Sequence, residues 1–201
     1  MILGFWIFAE IAEDIQPHGT MLARDHAVTN WFHAHATPGL TTAARAITTF
    51  GSVAFLCAAS LGVVILLVWK KAWHRLIIFA SGMVGGSLLN ILLKHFFHRH
   101  RPILENPLVT LSSYGFPSGH TMGATTFYGL LVLLTFASWQ NRSRRVLAIL
   151  LAGLFIAAIG LTRIYLGAHF MTDVLAAGAA GAVWLAFCWS AGETLKKFRR
   201  K

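Results

Sequence analysis

The chain has 201 residues, 56% apolar and 12% charged, with a mean hydropathy of +0.64, which excludes an ordinary soluble domain. A single membrane-embedded domain over residues 1–201 is the expectation. Seventeen basic against seven acidic residues give a net charge of +10, yet neither a basic stripe interleaved with exposed aromatics nor a nucleic-acid-reading motif accompanies it, so nucleic acid is not an expected partner.

Residues 1–9 are apolar but too short to span a bilayer, and Glu10, Glu13 and Asp14 follow at once. Without a basic leading region or a clear cleavage site, this segment reads as a short or tilted first helix rather than a removable signal. From Asp25 to Ile47, Val28, Trp31, Phe32 and Ala36 recur at helical spacing among polar residues, which predicts an amphipathic helix lying on the membrane surface. Five continuous apolar runs then predict spanning helices: Gly51 to Trp69, Leu76 to Leu93, Met122 to Trp139, Val146 to Thr162 and Met171 to Trp189. Trp69, Trp73, Trp139 and Trp189 sit at or near their ends, where interfacial aromatics belong. The two cysteines, Cys57 and Cys188, fall inside such runs and read as buried, inert thiols. The expected fold is therefore all-α: a polytopic membrane helical bundle of about six transmembrane helices, with an interfacial amphipathic helix after the first.

Charge separates the two faces of that bundle. If every span crosses, Lys70, Lys71, Arg75, Arg142, Arg144, Arg145, Lys196, Lys197, Arg199, Arg200 and Lys201 share one face with a single acid, Glu193. The other face holds six residues of each sign and is neutral overall. The positive-inside rule puts the basic face in the cytoplasm, which implies a multi-pass protein of the cell (inner) membrane.

Three groups of polar residues end up together on the opposite, non-cytoplasmic side. Lys94 and Arg101 are seven apart, two helical turns, before Pro102, which would interrupt a helix. Two cations on one face suit a phosphate dianion, although Lys94 alone would equally suit a lysine snorkelling to the interface. In Pro117-Ser118-Gly119-His120, at the start of a span, Gly119 allows close backbone approach to an anion. Ser118 suits a helix cap or a phosphate contact, and His120 a proton donor to a leaving alkoxide. Further on come Arg163, His169 and Asp173, the last two at i,i+4. A carboxylate on one ring nitrogen fixes the tautomer and frees the other nitrogen as a nucleophile; taken alone, the pair would equally be a capping Asp and an interfacial His. His95, His98 and His100 cluster nearby, with His33 and His35 as conceivable additions. Arg99 and Arg101 among them would repel a dication, so no metal site is expected.

Taken in order, Lys94-x6-Arg101-Pro102, Pro117-Ser118-Gly119-His120 and Arg163-x5-His169-x3-Asp173 resemble the three-part signature of the type 2 phosphatidic acid phosphatase (PAP2) superfamily. The resemblance covers about Leu76 to Asp173, and one departure is Thr162 where the family usually has serine; its hydroxyl is expected to keep the phosphate contact. The resemblance implies a six-helix lipid phosphatase that uses no metal or other cofactor and works through a phosphohistidine. In it His169 would attack phosphorus, Asp173 would orient it and His120 would protonate the leaving group. Lys94, Arg101, Arg163, Ser118 and the Gly119 N–H would hold the phosphoryl oxygens. It also implies a lipid phosphate partner within the bilayer: phosphatidylglycerophosphate, phosphatidic acid or undecaprenyl diphosphate. A transporter, or a non-catalytic lipid-phosphate binder on the same scaffold, is the rival reading; the near absence of charge inside the spans weighs against the first.

Overall fold

The computed structural model describes residues 1–15, 20–105, 107–136 and 141–198, with side chains described as far as residue 194. Trp139, Arg199, Arg200 and Lys201, and the side chains of Lys196 and Lys197, lie outside the described residues. Among the described residues there are eight helices and no strand: α1 (Ile2–Asp14), α2 (Met21–Ala34), α3 (Pro38–Thr49), α4 (Val53–Trp69), α5 (Trp73–Phe97), α6 (Gly119–Phe136), α7 (Arg142–Tyr165) and α8 (Met171–Phe198).

Four stretches are long and apolar enough to cross a membrane: Pro38–Trp69, which joins α3 to α4, then Trp73–Phe97, Arg142–Tyr165 and Met171–Thr194. Their outward faces carry Leu61, Ile65, Leu88, Leu92, Leu150 and Leu154, all exposed on the protein alone, as a lipid-facing surface requires. The chain is thus a multi-pass membrane protein. The remaining predicted span, α6, is not among the four, and its position explains why. It packs against α4, α5, α7 and α8, and Thr121, Met122, Ala124, Thr125, Thr126, Phe127 and Leu130 bury it on every side. A helix enclosed by protein does not need the apolarity that lipid demands, so its first half can be rich in threonine.

The single surface helix predicted over Asp25 to Ile47 is instead two helices. Pro38 has no N–H to continue a helix; Thr37 adopts an extended conformation (φ −125°, ψ 153°) and its hydroxyl accepts the Leu40 N–H at 3.3 Å, starting α3 afresh. Nor does α2 bury the predicted apolar set. Phe32 and Ala36 pack near Tyr165, but Trp31 is exposed, and the two fully enclosed residues of α2 are the polar Asp25 and Thr29. The short first helix is present as predicted, with α1 packed on α8. Cys188 is buried but Cys57 is exposed on the outside of α4, because the lipid side of a membrane helix is as apolar as its core side and hydropathy does not tell them apart.

Small residues set how closely the spans approach. A Cβ on Gly85 would lie 2.3 Å from the Trp184 indole, which is itself held by a 2.8 Å hydrogen bond from Nε1 to the Gly82 carbonyl. A Cβ on Gly160 would lie 2.6 Å from Val174, and one on Gly181 2.8 Å from Thr125. These approaches draw α5, α6, α7 and α8 together along the bundle axis.

Because the pinned indole has nowhere to move, Gly85→Ala should destabilise the bundle by about 1–3 kcal/mol. Gly62→Ala, which meets nothing within 4 Å, should be neutral or slightly stabilising. Thermal unfolding of the two variants in one detergent checks this; equal melting temperatures would contradict the close packing.

Candidate active site

The C-terminal end of α5, the N-terminal end of α6, the C-terminal end of α7 and the N-terminal end of α8 meet at one end of the bundle, and each brings part of the predicted set. Lys94 is in the last turn of α5. The helix stops sooner than the Lys94–Arg101 spacing suggested: His98 takes a left-handed conformation (φ 47°) at the C-cap, so Arg101 stands on the following segment and not two turns up the same face. The two cations still converge, because the same loop holds both. Lys94 Nζ donates to the Tyr114 carbonyl at 2.6 Å, and Arg101 donates to the Ser113 carbonyl from Nε at 2.7 Å and to the Tyr114 carbonyl from Nη2 at 3.2 Å.

Ser118 occupies the N-cap position of α6: its carbonyl accepts the Met122 N–H at 3.0 Å. Its hydroxyl oxygen accepts from Thr121 Oγ1 at 3.1 Å, which leaves the serine hydrogen free to donate elsewhere. Gly119 follows where a side chain would be crowded: a Cβ there would lie 3.3 Å from Asn90 Oδ1 and 3.9 Å from Lys94 Cε. His120, next along, lies within electrostatic reach of Arg163, His169, Arg101 and Lys94 together.

Arg163 is buried in the last turn of α7. Its Nη1 donates to Thr48 Oγ1 at 3.1 Å, whereas its Nε, also buried, finds no partner among the described residues. Its carbonyl accepts two N–H groups, from Ala168 at 3.0 Å and His169 at 3.3 Å, closing the turn that presents the histidine. Gly167 makes that turn possible with φ +67°, and a Cβ there would lie 2.5 Å from Leu104. The Thr162 hydroxyl, expected to reach phosphate, donates instead to the Ile159 carbonyl at 2.6 Å, as a threonine inside a helix readily does.

His169 is enclosed, with 2% of its surface exposed. Its Nε2 lies 3.0 Å from Arg101 Nη1. A guanidinium only donates, so Nε2 must be the acceptor and the proton must sit on Nδ1. Nδ1 in turn lies 3.5 Å from Asp173 Oδ2, an ion-pair distance too long for a well-made hydrogen bond, and Nδ1 has no closer partner. The helix begins only at Met171, so this is not a pair along a helix face. Asp173 is the third residue of α8 and reaches back, with Oδ2 accepting the Phe170 N–H at 2.9 Å, as the acidic half of a capping box. Burial is the main influence on the imidazole and pushes its pKa down to about 4; Asp173 opposes the shift, and Arg101 and Arg163 reinforce it. At neutral pH His169 is a neutral imidazole with its Nε2 lone pair aimed at a guanidinium.

Three participants had gone unrecognised in the sequence. Arg99 bridges two fully buried carboxylates, from Nη1 to Asp173 Oδ1 at 2.6 Å and from Nη2 to Asp25 Oδ2 at 2.8 Å, and its guanidinium lies 4.7 Å from the centre of the Phe170 ring. Thr172 completes the group: its N–H donates to Asp25 Oδ1 at 3.0 Å, its hydroxyl bonds Asp25 Oδ2, and its oxygen accepts from Arg99 Nη1 at 2.7 Å. A lone acid at the start of the predicted surface helix is an available signal for Asp25, which α2 buries by packing on α7 and α8. His98 and His100 are exposed and line a cavity of about 450 Å³ with Phe97, Ile103, Phe170 and Arg101. Among the described residues no three potential ligands are grouped to hold a metal.

The chain is similar to known proteins over most of its length. The chain is 34% identical over 137 residues to phosphatidylglycerophosphatase B of Bacillus subtilis, an alignment covering 66% of this chain and 65%, just under two thirds, of that relative. It is 27% identical over 171 residues to a decaprenylphosphoryl-5-phosphoribose phosphatase of Mycobacterium tuberculosis, covering 82% of this chain and 87% of the relative. Its fold superposes on the crystal structure of the transmembrane PAP2-type phosphatidylglycerolphosphate phosphatase from Bacillus subtilis with a TM-score of 0.87 and 27% identity, over 98% of each chain. Residues 75–197 match the PAP2 superfamily, and they contain all eight predicted site residues. The chain belongs to the PAP2 superfamily.

Proposed function

We propose that this protein is a lipid phosphatase that removes a terminal phosphate from a lipid phosphate or diphosphate through a phosphohistidine on His169. The observation that carries the reading is the state of His169: a buried imidazole whose protonated nitrogen faces Asp173 and whose lone pair points at Arg101 among further cations. Such a lone pair is a nucleophile waiting for an electrophile, and the surrounding charges suit an anionic one.

In the proposed cycle the substrate phosphoryl group enters beside Arg101, and its oxygens replace Nε2 as the acceptors of that guanidinium. An anion is the stronger acceptor, so binding and uncovering of the nucleophile are one event. The orphaned Arg163 Nε, Lys94 Nζ, the Ser118 hydroxyl and the Gly119 N–H supply the other donors. Lys94, Arg101 and Arg163 against Asp173 leave a net charge of +2, matched to a phosphate dianion, and stabilising those oxygens is the main work of phosphoryl transfer. Nε2 then bonds to phosphorus as the bond from phosphorus to the lipid oxygen breaks, with His120 giving that oxygen its proton. Water, losing a proton to His120, next attacks phosphorus and breaks the P–N bond, releasing inorganic phosphate and restoring His169. No step calls for a metal.

The lipid nature of the substrate rests on the membrane position of the site and on the relatives, which include a phosphatidylglycerophosphatase and a decaprenylphosphoryl-5-phosphoribose phosphatase. The favoured substrates are phosphatidylglycerophosphate, phosphatidic acid and undecaprenyl diphosphate. The positive-inside argument further supports a six-pass protein of the cell membrane whose site opens on the non-cytoplasmic face.

Purified protein in detergent with EDTA should release phosphate from at least one of these three lipids, and no release from any of them would refute the reading. His169→Ala and His120→Ala should each lower turnover by about 1,000-fold or more while leaving the protein folded; near-normal rates in either would reassign that residue. A second expectation concerns pH. The folded pKa of His169 near 4 lies below the ordinary 6.5, so between these values the unfolded chain binds the proton and the folded chain does not. Stability from this group is therefore lost as pH falls from about 6.5 toward 4. The melting temperature of the unmodified protein should drop over that interval by more than that of His169→Asn; identical pH profiles would contradict the neutral, buried imidazole.

A further inference from the structure

Asp25 lies more than 140 positions from Asp173 in the chain and outside the region that matches the family, yet it is as deeply buried as the carboxylate that faces the nucleophile. Its location is costly. A carboxylate with no exposed surface is tolerated only where charge and hydrogen bonds compensate it, and α2 delivers it to a point where both are present. Arg99 supplies the charge at 2.8 Å, the Thr172 N–H a bond at 3.0 Å, and the Thr172 hydroxyl a further contact.

The consequence for Asp173 is what matters chemically. Arg99 also holds Asp173 Oδ1, at 2.6 Å, while Oδ2 is left for the Phe170 N–H and the His169 ring. Were Arg99 the only neighbour, it would form a neutral pair with Asp173 and cancel much of the negative field that His169 needs. On phosphorylation of Nε2 the ring, still protonated at Nδ1, becomes cationic, and the carboxylate beneath it is then most needed. With Asp25 on the other limb of the fork, the three groups together carry one net negative charge. The fork also fixes geometry. Its two limbs and the cation–π contact with Phe170 hold the first turn of α8, and with it the rotamer of Asp173.

We infer that Asp25 and Arg99 are positioning residues for the phosphohistidine step: Asp25, working through Arg99, fixes the Asp173 carboxylate against His169 and preserves its charge. The inference rests on the phosphatase reading above, and neither residue touches the phosphate. It assigns to α2, a segment ahead of all three motifs, a direct share in the rate of the chemical step.

The test is steady-state phosphate release from phosphatidylglycerophosphate, phosphatidic acid and undecaprenyl diphosphate in detergent micelles by the full chain, read on whichever is turned over, with melting temperatures measured in parallel. Asp25→Asn keeps the size and most hydrogen bonds but removes the charge. It should lower kcat on the order of 10- to 100-fold with KM within about twofold, and Asp25→Glu should recover part of the loss. Arg99→Lys, which keeps a charge but cannot fork to two carboxylates, should show the same kcat-specific loss and serves should Asp25→Asn not fold. The deciding comparison is made in an Asp173→Asn background. If Asp25 acts through Asp173, the further effect of Asp25→Asn there should largely vanish. A normal kcat for Asp25→Asn, a loss carried mainly by KM, or an undiminished effect in the Asp173→Asn background would each overturn the inference. Turnover by the unmodified chain keeps the two ideas apart, since its absence counts against the phosphatase reading and its presence beside a fully active Asp25→Asn counts against the positioning role.

Discussion

Asp173 is the constraint on which the rest of this structure turns. With one carboxylate oxygen it caps α8 at the Phe170 N–H and faces His169; with the other it binds Arg99. Its backbone takes part as well, for its carbonyl accepts the Ser118 N–H at 3.1 Å and so ties the start of α6 to the start of α8. One residue therefore connects all three sequence motifs, since Arg99 sits between Lys94 and Arg101. A helix N-terminus is a natural place for such a carboxylate, because unsatisfied N–H groups and the helix dipole both favour negative charge there. The cap, the ion pair and the orientation of the histidine are three results of a single placement.

The charge balance of the site follows from the solvent around it. Near lipid, an unpaired ion is far more costly than in water, so the clustered cations of the site must be held by something. Backbone carbonyls of Ser113, Tyr114 and Ala168 do this for Lys94 and Arg101. They are dipoles rather than charges, so they satisfy the donors without cancelling the field that an anion would feel. Arg99 contrasts with them. It is matched by two full carboxylates and contributes nothing net to anion attraction, which separates it from Lys94 and Arg101 despite its place between them in the first motif.

Much of this was legible in the sequence, and for identifiable reasons. The long apolar runs mark α4, α5, α7 and α8 because lipid exposure imposes a composition, and the eight motif residues meet because polar groups at span ends on one face have few other places to go. The failures share a cause too. Hydropathy and periodicity record the solvent a helix faces, not its tertiary partner, so Asp25 read as the polar side of a surface helix when it is the buried partner of Arg99. Cys57 read as buried when it faces outward for the same reason. The Lys94–Arg101 spacing gave the right convergence by the wrong route, since the left-handed turn at His98 is decided by a C-cap that no periodicity reports. Residue chemistry alone does not say which acceptor a hydroxyl will choose, and that of Thr162 donates to the Ile159 carbonyl.

In the proposed function the motifs grip phosphate and say nothing of what the phosphate is attached to. Discrimination among the proposed lipids would then come from surfaces beyond Arg101, where the cavity bounded by Phe97, His98, His100, Ile103 and Phe170 lies. Phe170 belongs to that wall and also lies under the Arg99 guanidinium. The same ring thus borders the cavity beside Arg101 and the ion pair of Arg99 with Asp173. A group packed against Phe170 from the cavity side would press on the first turn of α8, which carries Asp173. Under the proposed function, recognition of the lipid and placement of the His169–Asp173 pair would be joined through this one aromatic residue, in a loop five residues long between α7 and α8.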